Sequence, residues 1–151
     1  MTQLLILADD LTGCSDCASL FTDYAPGVSI LPFFPGRAHL KRKNGVLIIN
    51  TESRHLKPQE AFRRNLCLLQ KVKAGRIYKK FDSTLRGNLL SETRALLHFM
   101  TASRQLSAAN FYLPLCFSFP EQKRITVKGI QYAGGIPIKD TVFGSDPKLP
   151  V

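Results

Sequence analysis

Tyr78-Lys79-Lys80-Phe81-Asp82-Ser83-Thr84-Leu85-Arg86-Gly87-Asn88 joins an apolar-tipped strand, Arg76 to Phe81, to a helix-like segment, Asn88 to Thr101. Three fixed cations, a carboxylate, two aliphatic hydroxyls and a glycine fall within these eleven residues. Asp82, Ser83, Thr84 and Asn88 are all residue types that cap a helix start. The first amides of such a helix, with Lys79, Lys80 and Arg86, suit a small anion. The competing reading is a plain strand-turn-helix junction whose basic residues face water. Either way the stretch predicts a sheet strand feeding a helix, the repeating step of an α/β fold.

The segments around it repeat that step. Gln3 to Ala8 carries an apolar run, continuous from Leu4, as expected of a strand buried on both faces. It ends in Asp9-Asp10-Leu11-Thr12-Gly13, and Cys14 to Tyr24 reads as a short helix, broken by Pro26-Gly27. Val28 to Phe34 is a second strand, and Val46 to Asn50 a third that runs into Thr51-Glu52-Ser53-Arg54. Pro58 opens a helix to about Val72, with Phe62, Leu66 and Leu69 on one face. Asn110 to Leu113 is a fifth strand. The alternation predicts an α/β fold: a mostly parallel, Rossmann-like sheet with helices on both faces. Active loops then lie beyond the C-terminal strand ends, which places Asp9, Asp10, Ser53, Arg54 and Asp82 to Arg86 along one edge. From Pro114 prolines and glycines multiply, and Thr126 to Tyr132 and Ile136 to Lys139 are expected to flank a C-terminal β-hairpin at Gly134-Gly135.

Length and composition exclude several classes. A chain of 151 residues with 44% hydrophobic and 21% charged residues has the composition of one globular domain. No apolar run approaches the roughly 20 residues of a membrane helix, so no membrane partner is expected. The N-terminus reads as a buried strand rather than a signal peptide, which makes the cytoplasm the expected location. The net charge of +10 raises the question of nucleic acid. Its sources are scattered, however, and only Arg37 to Lys43 is a dense cluster. With no zinc-finger spacing and no aromatic single-strand-binding pattern, a solvated basic face is expected and nucleic acid is not.

Three chemistries compete for the first motif. Paired acids after a first strand occur in haloacid-dehalogenase-type phosphatases, but the second Asp there follows two residues after the first. Here Leu11 and Thr12 occupy those places. Response-regulator receivers need an Asp ending the third strand, where this chain has Asn50 and Thr51. A redox or zinc role for Cys14-Ser15-Asp16-Cys17 lacks supporting spacing from Cys67 and Cys116, so buried structural thiols are expected.

The third reading is a resemblance. ILADDLTG (residues 6–13), TESR (51–54) and YKKFDSTLRGN (78–88), at three strand ends in that order, resemble the four-carbon acid sugar kinase family. Members phosphorylate tetronates such as threonate, erythronate and their 3-oxo forms, using ATP. The tail is similar in outline, through Pro120 to Arg124, Gly129 to Pro137 and Asp146-Pro147. It departs at Lys123, where the family usually has glycine, and in the irregular Leu113 to Phe119.

The resemblance implies a small anionic sugar acid as substrate, with Asp9, Asp10, Arg54, Lys80, Asp82, Ser83 and Arg86 binding it and Asp10 or Asp82 acting as the base. Arg54 and Arg86 suit bidentate carboxylate binding, and the acids suit hydroxyls. For each of these residues capping or salt bridging is the structural alternative. Family members also carry a nucleotide-binding domain, and no GxxxxGK-S/T loop occurs in these residues. Residues 1–144 are therefore expected to be the sugar-acid-binding N-terminal domain and residues 145–151 the start of a linker to a missing partner domain. ATP and Mg are implied for the complete family enzyme, and neither for this chain alone. A homodimer is kept open. The alternatives are a non-catalytic remnant that binds a small anion and an Asp-dependent phosphatase.

Overall fold

Strands β1 (Thr2–Ala8), β2 (Val28–Leu31), β3 (Val46–Asn50) and β4 (Ala74–Lys80) form a wholly parallel sheet in the order β2-β3-β1-β4. The computed structural model describes residues 2–23, 27–33, 36, 45–104 and 113–146. Three helices cover the sheet: α1 (Leu11–Phe21), α2 (Pro58–Lys71) and α3 (Leu89–Arg104).

Side-chain alternation along the strands builds two cores. Leu5, Leu7, Leu47 and Ile49 face α2 and α3, meeting Leu68, Leu69 and Leu96. Ile6, Ala8, Val46 and Ile48 point the other way and meet Cys14 and Cys17 of α1. Each fully buried Leu or Ile contributes about 1.5–3 kcal/mol, and both faces are needed to bury such continuous apolar runs. The α/β class and the helices on both faces agree with the sequence.

Several boundaries differ. α1 starts at Leu11, not Cys14, because Asp10 caps it: its carboxylate accepts from the Gly13 amide at 2.8 Å. α2 buries Ala61, Asn65, Leu68 and Leu69, while the expected Phe62 and Leu66 are only partly buried. β2 ends at Leu31, and Phe34 lies outside the described residues. So do the basic cluster Arg37 to Lys43 and residues 110–112 of the expected fifth strand. Leu113 packs against the α2/α3 core.

The C-terminal hairpin is a three-stranded antiparallel meander, β5 (Arg124–Val127), β6 (Ile130–Ala133) and β7 (Ile136–Pro137). The run Thr126 to Tyr132 breaks at Lys128-Gly129, both at positive φ (49° and 80°), as a two-residue primed turn requires. Gly134-Gly135 repeats the device at 59° and 86°. Among the described residues no helix is long and apolar enough to cross a membrane.

A candidate sugar-acid site

β1, β3 and β4 end level with one another, Ala8 pairing with Asn50 on one side and Lys80 on the other. The three following loops therefore meet at one edge. The loop after β3 is pinned to β1: the Thr51 amide and hydroxyl both donate to the Ala8 carbonyl at 2.8 Å, and the Ser53 amide donates to that of Asp9. This brings Arg54 over the paired acids. Its Nε and Nη2 donate to the Asp9 carboxylate at 2.8 and 3.1 Å, and its Nη1 lies 2.7 Å from Asp10 Oδ2. Asp10 thus serves α1 with one oxygen and Arg54 with the other. Burial would lower the Arg54 pKa, but the hydrogen bond and charge of Asp9, then the charges of Asp10 and Asp82, outweigh it and raise it.

The loop after β4 folds on itself. Asp82 accepts from the Thr84 amide at 3.3 Å, the Thr84 hydroxyl at 2.5 Å and Arg86 Nε at 2.7 Å. Arg86 Nε also reaches Thr84 Oγ1 at 2.9 Å. Leu85 and Gly87 take positive φ, 63° and 100°. A Cβ at Gly87 would stand 3.2 Å from Arg54 Cγ, so the glycine lets this loop lie against the neighbouring one. Asn88 does more than precede α3. Its Nδ2 donates to the carbonyls of Ser53 at 2.9 Å and Leu56 at 2.8 Å, fastening the two loops together.

Burial by itself would raise the Asp82 pKa. The Thr84 and Arg86 hydrogen bonds, with the charges of Arg54 and Arg86, prevail and hold it below the ordinary carboxylate range. Its stabilising contribution is therefore complete above the unfolded value of about 3.9 and is lost as pH falls through the folded one. Urea midpoints measured from about pH 6 down to about pH 3 are expected to fall less steeply in Asp82→Asn than in the native chain. Equal slopes would refute this.

The two lysines part company. Lys80 Nζ donates to the Phe81 carbonyl at 2.9 Å, with its stem against Gly13 on the α1 side. Lys79 is buried on the α3 side, its Nζ 2.6 Å from Glu92 Oε2 and within hydrogen-bonding distance of the Leu7 and Lys80 carbonyls. The 2.6 Å contact is ionic rather than an aligned hydrogen bond, and Glu92 Oε1 has no partner. Lys79 thus lies beneath the edge, outside the anion pocket expected of it.

The structure brings Asp9, Asp10 and Arg54 together and sets Asp82, Ser83 and Arg86 beside them, with Lys80 on the α1 flank. Three further residues join from the C-terminal region: Arg124 and Gln131 of the meander, and Phe143 after it. Arg124 Nη1 donates to Ser83 Oγ at 2.9 Å, and Gln131 Nε2 donates to the Ser83 and Phe117 carbonyls at 2.9 Å. Arg86 and Arg124 both lie over the Phe143 ring, 5.3 and 5.0 Å from its centroid. No local pattern could have paired residue 124 with residue 83.

A 530 Å³ cavity beside β4 is lined mainly by apolar residues such as Leu20, Ile77, Leu113 and Phe117. Of the candidate residues Lys79, Lys80 and Ser83 reach its wall, while Asp9, Asp10, Arg54, Asp82 and Arg86 do not, so the polar edge is the better site. Cys14 and Cys17 are buried in the α1 core; burial pushes the Cys14 thiol up to about 12 and raises that of Cys17. Both are poor nucleophiles in that state. Among the described residues no three His, Cys, Asp or Glu side chains gather as metal ligands.

A family model described as a sugar-binding N-terminal domain matches residues 4–151. A D-threonate kinase of Cupriavidus necator is 36% identical over 140 residues, covering 91% of this chain and 31% of that protein. A D-erythronate kinase of Heliobacterium modesticaldum is 33% identical over 156 residues, covering 100% and 34%. A crystal structure from Bordetella bronchiseptica, described as a domain of unknown function with bound citrate and as a domain-swapped dimer, superposes with a TM-score of 0.83. It is 28% identical, over 99% of this chain and 38% of that one. The chain thus spans about a third of the length of the curated relatives it matches.

Proposed function

The chain belongs to the sugar-binding N-terminal domain family, and on that premise we propose that its polar edge is the sugar-acid site of a four-carbon acid sugar kinase. The observation that carries this is the meeting of Asp9, Asp10 and Arg54 with Asp82 and Arg86 at three level strand ends. A tetronate offers one carboxylate and several hydroxyls, and this edge offers guanidinium donors and carboxylate acceptors. The threonate and erythronate kinases among the relatives, and the citrate of the Bordetella structure, support a small hydroxy-acid ligand.

In phosphoryl transfer the enzyme mainly positions groups and neutralises charge, while an acid orients the attacking hydroxyl. Asp10 suits that part better than Asp82. Both acids have partners on each oxygen, but Asp82 is 10% exposed with a depressed pKa, whereas the Asp10 side chain is 26% exposed and so more open to a ligand. ATP with Mg would supply the phosphoryl group. The described carboxylates at this edge are engaged by guanidinium groups, and on this reading ATP and Mg come with the two thirds of the relatives outside the match. Residues 1–144 as the binding unit, with residues 145–151 leading toward that remainder, are part of the same proposal. So is a dimer, which the Bordetella assembly supports.

Titration calorimetry of this chain with D-threonate and D-erythronate tests the reading. Saturable binding of at least one is expected, with no heat from the neutral tetritols and loss of binding in Arg86→Ala. Silence toward every four-carbon sugar acid would overturn it. Binding that survives Arg86→Ala unchanged would favour a remnant that takes its anion elsewhere.

A further inference from the structure

We propose that Arg124, reaching in from the meander, forms with Arg86 the clamp that grips the ligand's carboxylate, a task Arg54 cannot perform. The proposal rests on the sugar-acid reading and adds to it the residues that recognise the charged end.

The supply of donors decides the matter. Arg54 spends Nε and Nη2 on Asp9 and Nη1 on Asp10, so its fork is already filled by two carboxylates of the chain itself. Arg86 spends only Nε, on Asp82 and Thr84, and its Nη1 stands 4.0 Å from Asp146. Arg124 gives Nη1 to the neutral Ser83 hydroxyl, and its Nε is buried with no hydrogen-bond partner. No carboxylate among the described residues lies within ion-pair distance of Arg124.

Two cations are thus held against one ring, Phe143, at 5.3 and 5.0 Å from its centroid. Arg86 keeps Asp82 as its counter-ion, whereas Arg124 holds an unpaired charge and an unsatisfied buried donor, and each costs free energy. A bound carboxylate removes both costs, because a planar guanidinium meets it with paired, charge-assisted hydrogen bonds. The alcohol end of the ligand then lies toward Asp10 and Asp82, where acceptors are found. Gln131 supports the arrangement by tying β6 to the Ser83 and Phe117 carbonyls, which fixes the meander over the loop.

Arg124→Gln, Arg124→Lys and Arg124→Ala are compared with the native chain by calorimetric titration of D-threonate, D-erythronate, citrate and inorganic phosphate. Arg124→Gln is expected to weaken sugar-acid binding about ten- to hundred-fold, the worth of a charge-assisted hydrogen bond. Arg124→Lys should recover part of it. The slope of affinity against ionic strength should fall with the lost cation, and millimolar guanidinium should restore binding to Arg124→Ala. A role confined to holding the meander would show none of these charge-specific responses. If the native chain binds a tetronate and Arg124→Gln binds it equally well, the clamp is wrong and the sugar-acid reading stands. If the chain ignores tetronates yet binds citrate or phosphate in an Arg124-dependent way, the clamp stands and the sugar-acid reading falls. If it binds none of the four anions, both fall.

Discussion

Lys79→Met is expected to lower the unfolding free energy by about 3–5 kcal/mol, the usual loss when one member of a buried ion pair is removed. Lys79 and Glu92 are 5% and 1% exposed, so the surviving carboxylate would stay in the interior without its cation. The loss is larger than that of a surface pair, worth about 0–1 kcal/mol, because water cannot replace the missing partner. The double variant Lys79→Met/Glu92→Leu should recover most of it, since paired charges replaced by apolar side chains of similar size often leave stability unchanged or improved. Urea unfolding of both singles and the double gives the coupling directly. A single-variant loss below about 1 kcal/mol would mean the pair is not held dry. The ammonium also bonds the Leu7 and Lys80 carbonyls, so the same variant should loosen the joint between β1 and β4 beneath the acids.

Arg54→Gln is expected to be comparably damaging and to abolish ligand binding as well. Asp9 is 2% exposed and has Arg54 as its salt-bridge partner, while Asp10 lies 2.7 Å from the same guanidinium. Glutamine would leave two adjacent carboxylates uncompensated, one of them buried, at a cost again of about 3–5 kcal/mol. An anionic ligand would then meet net negative charge at the mouth of its site. Arg54→Lys should be intermediate, since an ammonium keeps the charge but cannot span both acids as a fork does. Denaturant midpoints and tetronate titrations check the two effects separately. Native stability with native affinity in Arg54→Gln would contradict the assignment.

The sheet was legible because Leu4 to Ala8 and Val46 to Ile49 are apolar without interruption, a pattern that two-sided burial explains. The edge was legible because loops following parallel strands emerge on one side. The start of α1 was not. Thr12 and Gly13 look like loop residues, yet Gly13 lies in the first turn against Asp10 Oδ1 and Lys80 Cγ, where little side chain fits. The meander was half legible, its Lys128-Gly129 turn hidden inside a β-favouring run. The pairing of the charges was beyond the sequence. Arg54 suited a ligand's carboxylate as well as it suited Asp9, and only the pinning of the β3 loop to Ala8 decides for Asp9. Arg124 was hidden for the same reason: its partner is forty-one residues away.

Lys79 and Lys80 are adjacent in the chain, but β4 sends one into the interior and the next toward α1. Strand parity alone decides which lysine is structural and which is chemically available. A slip of one residue would have different consequences in its two directions. In one, Lys80 takes the place beside Glu92 and Phe81 replaces the available cation, so the fold keeps its ion pair and the site loses its charge. In the other, Tyr78 faces Glu92 and Lys79 moves to the site, so the charge survives at the expense of the fold. The phase of β4, as much as its composition, is therefore under constraint.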